Sequence, residues 1–222
     1  AEFWGYDERY YQNLAQAVFS RLNALLANKN IPQDALRTQF QNITTNAIAF
    51  AQKAAELNPQ NPFNVALLGG IYENLIPFTG GASDFALSSY GKAISLDPKN
   101  PADYLAIGRV YIARADLLTK DQGKTEEISA ELDKATSNLE KAIELKQDYA
   151  PARFLEVQVY DRQGKLAEAI KRAEELTVLN NTNVGTLFQL GFLYYKAGRF
   201  AESQQVLERV VSLSPNYSNA RY

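Results

Sequence analysis

A chain of 222 residues with 46% apolar and 22% charged residues has the composition of a globular protein. Its formal charge of −2 supplies no global field for nucleic acid or anionic membrane, and no apolar run approaches the roughly 18 residues of a membrane span. Cys and His are absent, which excludes disulfides, thiolate chemistry, Cys- or His-ligated metals and imidazole acid–base catalysis.

Met is also absent, even at position 1, and the N-terminus lacks the basic-then-apolar shape of a signal peptide, so a processed product or excised fragment is expected. The opening "FWGYDERYY", Phe3 to Tyr11, holds the only Trp and four other aromatics. It reads as the amphipathic start of a first helix or as a sticky element covering another subunit. Tyr6–Asn28 and Asp34–Leu57 then read as a long, divergent helix pair.

From there one phrase recurs: "KAAELNPQN" at Lys53, "KAISLDPKN" at Lys92, "KAIELKQDY" at Lys141 and "VVSLSPNY" at Val210. Each reads as a helix C-terminus. Ala86, Tyr90, Ala93 and Ile94 share one helical face, and Asp97-Pro98 stops that helix because Pro cannot continue it. Asn100 suits an N-cap and Pro101 the first helical position; Asn61-Pro62 repeats the arrangement, and Ser218 after Pro215 suits a further cap. Stop, short turn and restart predict an array of antiparallel helix pairs.

Aligning "YDRQGKLAEAI" (Tyr160 to Ile170) with "YYKAGRFAESQ" (Tyr194 to Gln204) gives an offset of 34 residues, placing Gly164 on Gly198, Ala167 on Ala201 and Glu168 on Glu202. That period is the tetratricopeptide length. The clearest copy runs from Val184 to Ser218, with Leu187, Leu190, Gly191 and Tyr194 on its first helix and Ser203, Leu207, Val210 and Pro215 on its second. On these residues the chain resembles the tetratricopeptide-repeat family. The family pattern recurs at Val65, Leu68, Gly69, Tyr72, Ala86, Tyr90, Ala93 and Pro98, and again at Tyr104, Ile107, Gly108, Tyr111, Ala135, Leu139 and Ala142. The copy from Ala150 departs from it: Val157 replaces the close-contact Gly and Asn181 the Pro, while Tyr160, Ala169 and Ala173 hold.

The resemblance implies an all-α, right-handed α-solenoid of about five antiparallel helix pairs, each burying its apolar face only against its neighbours. The expected organisation is one array: a divergent pair at 1–60, repeats at 61–100, 101–149, 150–183 and 184–217, and the start of another at 218–222. "LIPFTGGASD" (Leu75 to Asp84) lengthens one turn, and "ARADLLTKDQGKTEEISAEL" (Ala113 to Leu132) lengthens both helices of the following copy. More narrowly, "YENLIPFTGGASDFALSSYGKAISLDPKNP", "IGRVYIARADLL" and "ELKQDYAPARFLEVQVY" are similar to repeat regions appended to bacterial O-antigen ligase/polymerase-type membrane proteins. That similarity implies a bacterial, envelope-associated setting, in which such a domain organises a sugar-polymer machine. No membrane part is present in this sequence, so no glycosyl-transfer activity is carried over.

Repeat arrays of this family bind partners mainly through the concave face built from each first helix, A. In that register the groove positions are Phe63, Ala66, Gly70 and Glu73, then Leu105, Arg109 and Ile112, then Phe154, Gln158, Asp161 and Arg162, and finally Phe188, Phe192, Tyr195 and Lys196. Rings on a preformed concave surface anchor a peptide or helix at little entropy cost. The alternative, that some of these rings pack between adjacent A helices, stays open at this level. The array ends suggest assembly contacts at Phe3, Trp4, Tyr6, Val206, Val210 and Tyr222, since the last B helix carries an apolar face that needs a cover. Stacking end to end through these surfaces would give a homo-oligomer, a fibre unless rotation closes it.

Chemistry finds little support. "DQGKTEE" ends like a phosphate-binding loop, but Leu118 stands where the motif needs its first Gly. Glu126-Glu127 and Glu174-Glu175 are sequence neighbours on helices, so their carboxylates do not converge on one atom. The carboxylate clamp of chaperone-binding family members is missing: its Lys-x-x-x-Asn spacing occurs only at Lys134/Asn138, on a second helix, B. Asn42, Asn180 and Asn216 match the glycosylation acceptor pattern, and helix ends and turns account for Asn180 and Asn216 without modification. The expectation is a non-enzymatic protein–protein interaction scaffold with no metal, no cofactor and no nucleic acid, its groove occupied by a peptide or helix.

Overall fold

A computed structural model describes residues 7–119 and 123–216. Ten α-helices and no strand occur among the described residues: α1 (Glu8–Ala27), α2 (Gln33–Leu57), α3 (Pro62–Leu75), α4 (Ala82–Leu96), α5 (Pro101–Leu118), α6 (Thr125–Leu145), α7 (Ala150–Arg162), α8 (Leu166–Leu179), α9 (Val184–Lys196) and α10 (Phe200–Leu213). Contacts divide the chain into two compact units, 1–113 and 114–222, and the division falls inside α5. In unit 1, α1 packs on α2 and α3 on α4; in unit 2, α7 packs on α8 and α9 on α10.

The punctuation acts as read at Asn61 and Asn100, while Ser218 lies outside the described residues. Asn61 accepts from the Phe63 amide at 3.0 Å and Asn100 from the Ala102 amide at 3.1 Å, with Pro62 and Pro101 opening the helices behind them. Asp7 and Asn183 cap α1 and α9 the same way, both at the third amide on. The 34-residue register is written into the backbone. Gly164 and Gly198 both take the left-handed conformation, at φ 73° and 74°. Just after each, the next amide reaches back five residues, Lys165 N to Tyr160 O and Arg199 N to Tyr194 O, both at 2.9 Å.

The B helices bury small residues. Ala86, Ala93, Ala135, Ala142, Ala169 and Ala173 have no exposed surface, which lets each B helix approach its partner closely. On the A side, a Cβ on Gly69 would stand 3.0 Å from the Tyr90 ring, and one on Gly191 would stand 2.7 Å from Leu207. The departure at Val157 is compensated. Counting back 34 residues, Gly191 and Leu207 become Val157 and Ala173, so the larger side chain has moved from helix B to helix A, and both are fully buried in one cluster.

Unit 1 has a polar clasp. Asn64 is wholly buried; its amide donates to Glu8 Oε2 and to the Ala54 and Asn58 carbonyls, all at 3.0 Å, while Gln12 donates to its oxygen at 2.5 Å. One side chain thereby ties α1, the end of α2 and the start of α3. The inserted turn after α3 folds back, with Phe78 meeting Phe40 of α2 edge-on at 5.5 Å. The second insertion lengthens helices, giving α5 18 residues and α6 21.

Candidate functional site: the faces of the A helices

In unit 1, Phe63, Leu67, Gly70 and Asn74 recur at helical spacing along one face of α3. Against α1 this face forms a cleft of about 320 Å³, lined by Gln16, Phe19, Ser20, Leu67, Gly70, Ile71 and Asn74. Phe63 at one end is 50% exposed. Ala66 and Ile112 are half-buried, the former packed on the core. Leu105 is buried, so it supports the face from beneath and offers nothing to a partner.

The two charged groove positions of unit 1 meet each other. Glu73 accepts from Arg109 Nε at 2.6 Å and Nη2 at 3.0 Å, and from the Tyr90 hydroxyl at 2.7 Å. Burial, then the charge on Glu73, pushes the Tyr90 phenol well above its ordinary value, so it remains a fixed donor. The bond to Glu73 likewise raises the Arg109 guanidinium.

Unit 2 repeats the theme. Arg162 pairs with Asp116 of α5 at 2.6 Å, and Lys196 of α9 pairs with Asp161 of α7. All five charged positions expected in the groove are therefore in ion pairs that link one A helix to another. Phe154 and Gln158 are half-buried on α7, as is Phe188 on α9. Further along that face Phe192 is 49% exposed and Tyr195 60%. Lys196 Nζ lies 6.0 Å from the Phe192 ring centre, and Tyr195 meets Phe200 edge-on at 5.6 Å.

Behind that face, Tyr194 donates to Glu174 at 2.6 Å and stacks under Arg199, 4.2 Å from the ring centre. Burial, then the Glu174 bond, pushes its phenol up to about 12. A second cleft, of about 500 Å³, opens among α8, α9 and α10, where Val178, Leu187, Leu190 and Val206 supply its apolar lining. Of the expected assembly contacts, Val206 is half-buried at this cleft and Val210 has no exposed surface, so Val210 presents nothing to another chain. Phe3, Trp4, Tyr6 and Tyr222 lie outside the described residues.

Sequence reasoning missed Phe19 and Leu67 in the first cleft, and Phe200 and Val178 as exposed apolar groups. Leu67 was accessible from the spacing to Phe63; Phe19 was not, because α1 is too divergent to register. Lys134 and Asn138 lie on α6 and are engaged locally, Lys134 with Glu131 at 2.7 Å and the Asn138 amide with the Lys134 carbonyl at 2.9 Å. Among the described residues no cluster of acidic side chains is placed to hold a metal ion, and no helix is long and apolar enough to cross a membrane.

The tetratricopeptide-repeat family model matches residues 162–222. No curated protein matches the chain. Among solved structures, TTC0263, a thermophilic TPR protein of Thermus thermophilus, is 19% identical with a TM-score of 0.62, over 93% of this chain and 95% of that one. MamA of Desulfovibrio magneticus RS-1 is 17% identical with a TM-score of 0.65, over 95% and 96%. YrrB, described as a TPR protein with an unusual peptide-binding site, is 19% identical with a TM-score of 0.58, over 93% and 90%. The family model thus places tetratricopeptide repeats on residues 162–222, and the chain as a whole has the all-α helix-hairpin fold of these solved tetratricopeptide-repeat structures.

Proposed function

We propose that this protein is a non-enzymatic interaction scaffold that holds a peptide or a helix of a partner protein against the faces of its A helices. One observation carries the reading. The charged groove positions are all spent in ion pairs between A helices, while Phe63, Phe192 and Tyr195 remain about half or more exposed on the same helices. A surface with paired charges and bare rings suits contact area rather than attraction at a distance, and aromatic anchors supply most of the energy in such contacts. The peptide-binding site described for YrrB, a protein of the same fold, supports the reading.

The test is capture of a partner from extract of the native organism by the chain and by a Phe192→Ala, Tyr195→Ala variant, with the captured protein identified. Because both rings are exposed, the variant should keep its helicity and lose at least tenfold in capture of that protein. Equal capture by both would discard the groove.

A second reading is self-assembly through the last hairpin. Val178, 83% exposed, and half-buried Val206 flank the cleft among α8, α9 and α10, an apolar surface that a second copy could cover. A mass that grows with concentration and collapses in Val178→Asp would favour it.

A further inference from the structure

Glu156 of α7 is 3% exposed. Thirty-four residues on, its counterpart is Leu190, and Leu68 and Ile107 hold the same place in the earlier copies. The nearest cation is Arg172 of α8, whose Nε lies 3.7 Å from Glu156 Oε2, an ion-pair distance too long for a good hydrogen bond. Arg172 in turn corresponds to Val206. Where α9 and α10 set Leu190 and Val206 around a cleft, α7 and α8 set a carboxylate against a guanidinium.

The charged and titratable groups around Glu156 come from all three helices packed there. Arg153 and Tyr160 lie on α7, Glu140 on α6, and Arg172 and Glu175 on α8. The cations are shared. Arg172 Nη1 is 3.2 Å from Glu175 Oε2, Arg153 Nη1 is 3.8 Å from the same oxygen, and the Tyr160 hydroxyl donates to Glu140 at 3.2 Å. Two guanidinium groups thus face three carboxylates, and the one nearest the apolar interior has the weakest partner.

We propose that the junction of α6, α7 and α8 is an acid-tightened joint: Glu156, ionised in a leucine's place, takes up a proton as the pH falls and firms the α7–α8 hairpin. Burial holds the Glu156 carboxyl above its ordinary value of 4.5, with Arg172 pulling the other way. A carboxyl that titrates higher folded than unfolded binds its proton more tightly in the folded state. Stability is therefore forgone above the folded pKa and recovered as the pH drops through it toward 4.5. Protonation leaves no stranded cation, because Arg172 keeps Glu175. An ion pair buried in place of well-packed apolar groups commonly lowers stability relative to them.

Thermal unfolding of the full chain at pH 7.5 and pH 5 tests the joint, with Glu156→Gln and the double variant Glu156→Leu, Arg172→Val, which copies the Leu190 and Val206 pair. At pH 7.5 Glu156→Gln should melt roughly 2–6 °C above the parent, and the gap should narrow at pH 5, as the parent carboxyl begins to take up its proton. If Glu156→Gln fails to fold, the double variant decides by the same two readings. A variant that melts at or below the parent at pH 7.5, or a gap indifferent to pH, overturns the proposal.

Discussion

At the scale of single residues, the same contact is solved twice with the volumes exchanged. Gly191 admits Leu207 where a Cβ would come within 2.7 Å, whereas the corresponding Val157 and Ala173 are both fully buried in one cluster. Close packing makes the sum of the two side chains the constrained quantity, not either one. Gly191→Val alone should therefore cost about 2–3 kcal/mol through overpacking, while Gly191→Val with Leu207→Ala should return to within about 1.5 kcal/mol of the parent. Urea titration of the single variants and the pair measures this; simple additivity of the two losses would refute the exchange. The glycine requirement could be read from the sequence, and its exemption at Val157 could not, because the compensating residue sits on the other helix.

At the scale of elements, A helices are linked by ion pairs whose surroundings differ, and the surroundings set their worth. Glu73 is 16% exposed and also satisfies the buried Tyr90 hydroxyl, whereas Asp116 and Arg162 are 54% and 42% exposed. Glu73→Ala strands a buried phenol and should cost about 1–3 kcal/mol. Asp116→Ala breaks a pair already screened by water and should cost less than about 1 kcal/mol. Chemical denaturation of the two variants should separate them in that order, and equal losses would mean that Tyr90 finds another acceptor. The buried Asn64 clasp belongs to the same scale: its four partners come from α1 and from the C-terminal end of α2, and no periodicity announces such a meeting.

At the scale of the whole molecule, a net charge of −2 and paired groove charges leave little long-range attraction to screen. A captured partner should bind with an affinity that changes less than about threefold between low and high salt, since exposed pairs alone respond to screening. Titration by calorimetry across a salt series checks this, and a steep salt dependence would point to a charged face instead. The same preparation in a light-scattering dilution series should hold a monomer mass if the groove reading is correct.

Where helices begin and end, their 34-residue recurrence and the fold class were settled by the sequence alone. Those features are local: a proline that cannot continue a helix, an asparagine that caps one, an apolar stripe at helical spacing. Even Glu156 in a leucine's register was legible in the spacing, although its burial was not. Only the tertiary structure decided which groove residues remain available. Glu73 meets Arg109 from 36 positions away and Arg162 meets Asp116 from 46, while Leu105 turns inward. Helical periodicity assigns a residue to a face of its own helix; what that face meets is decided by packing between segments far apart in the chain.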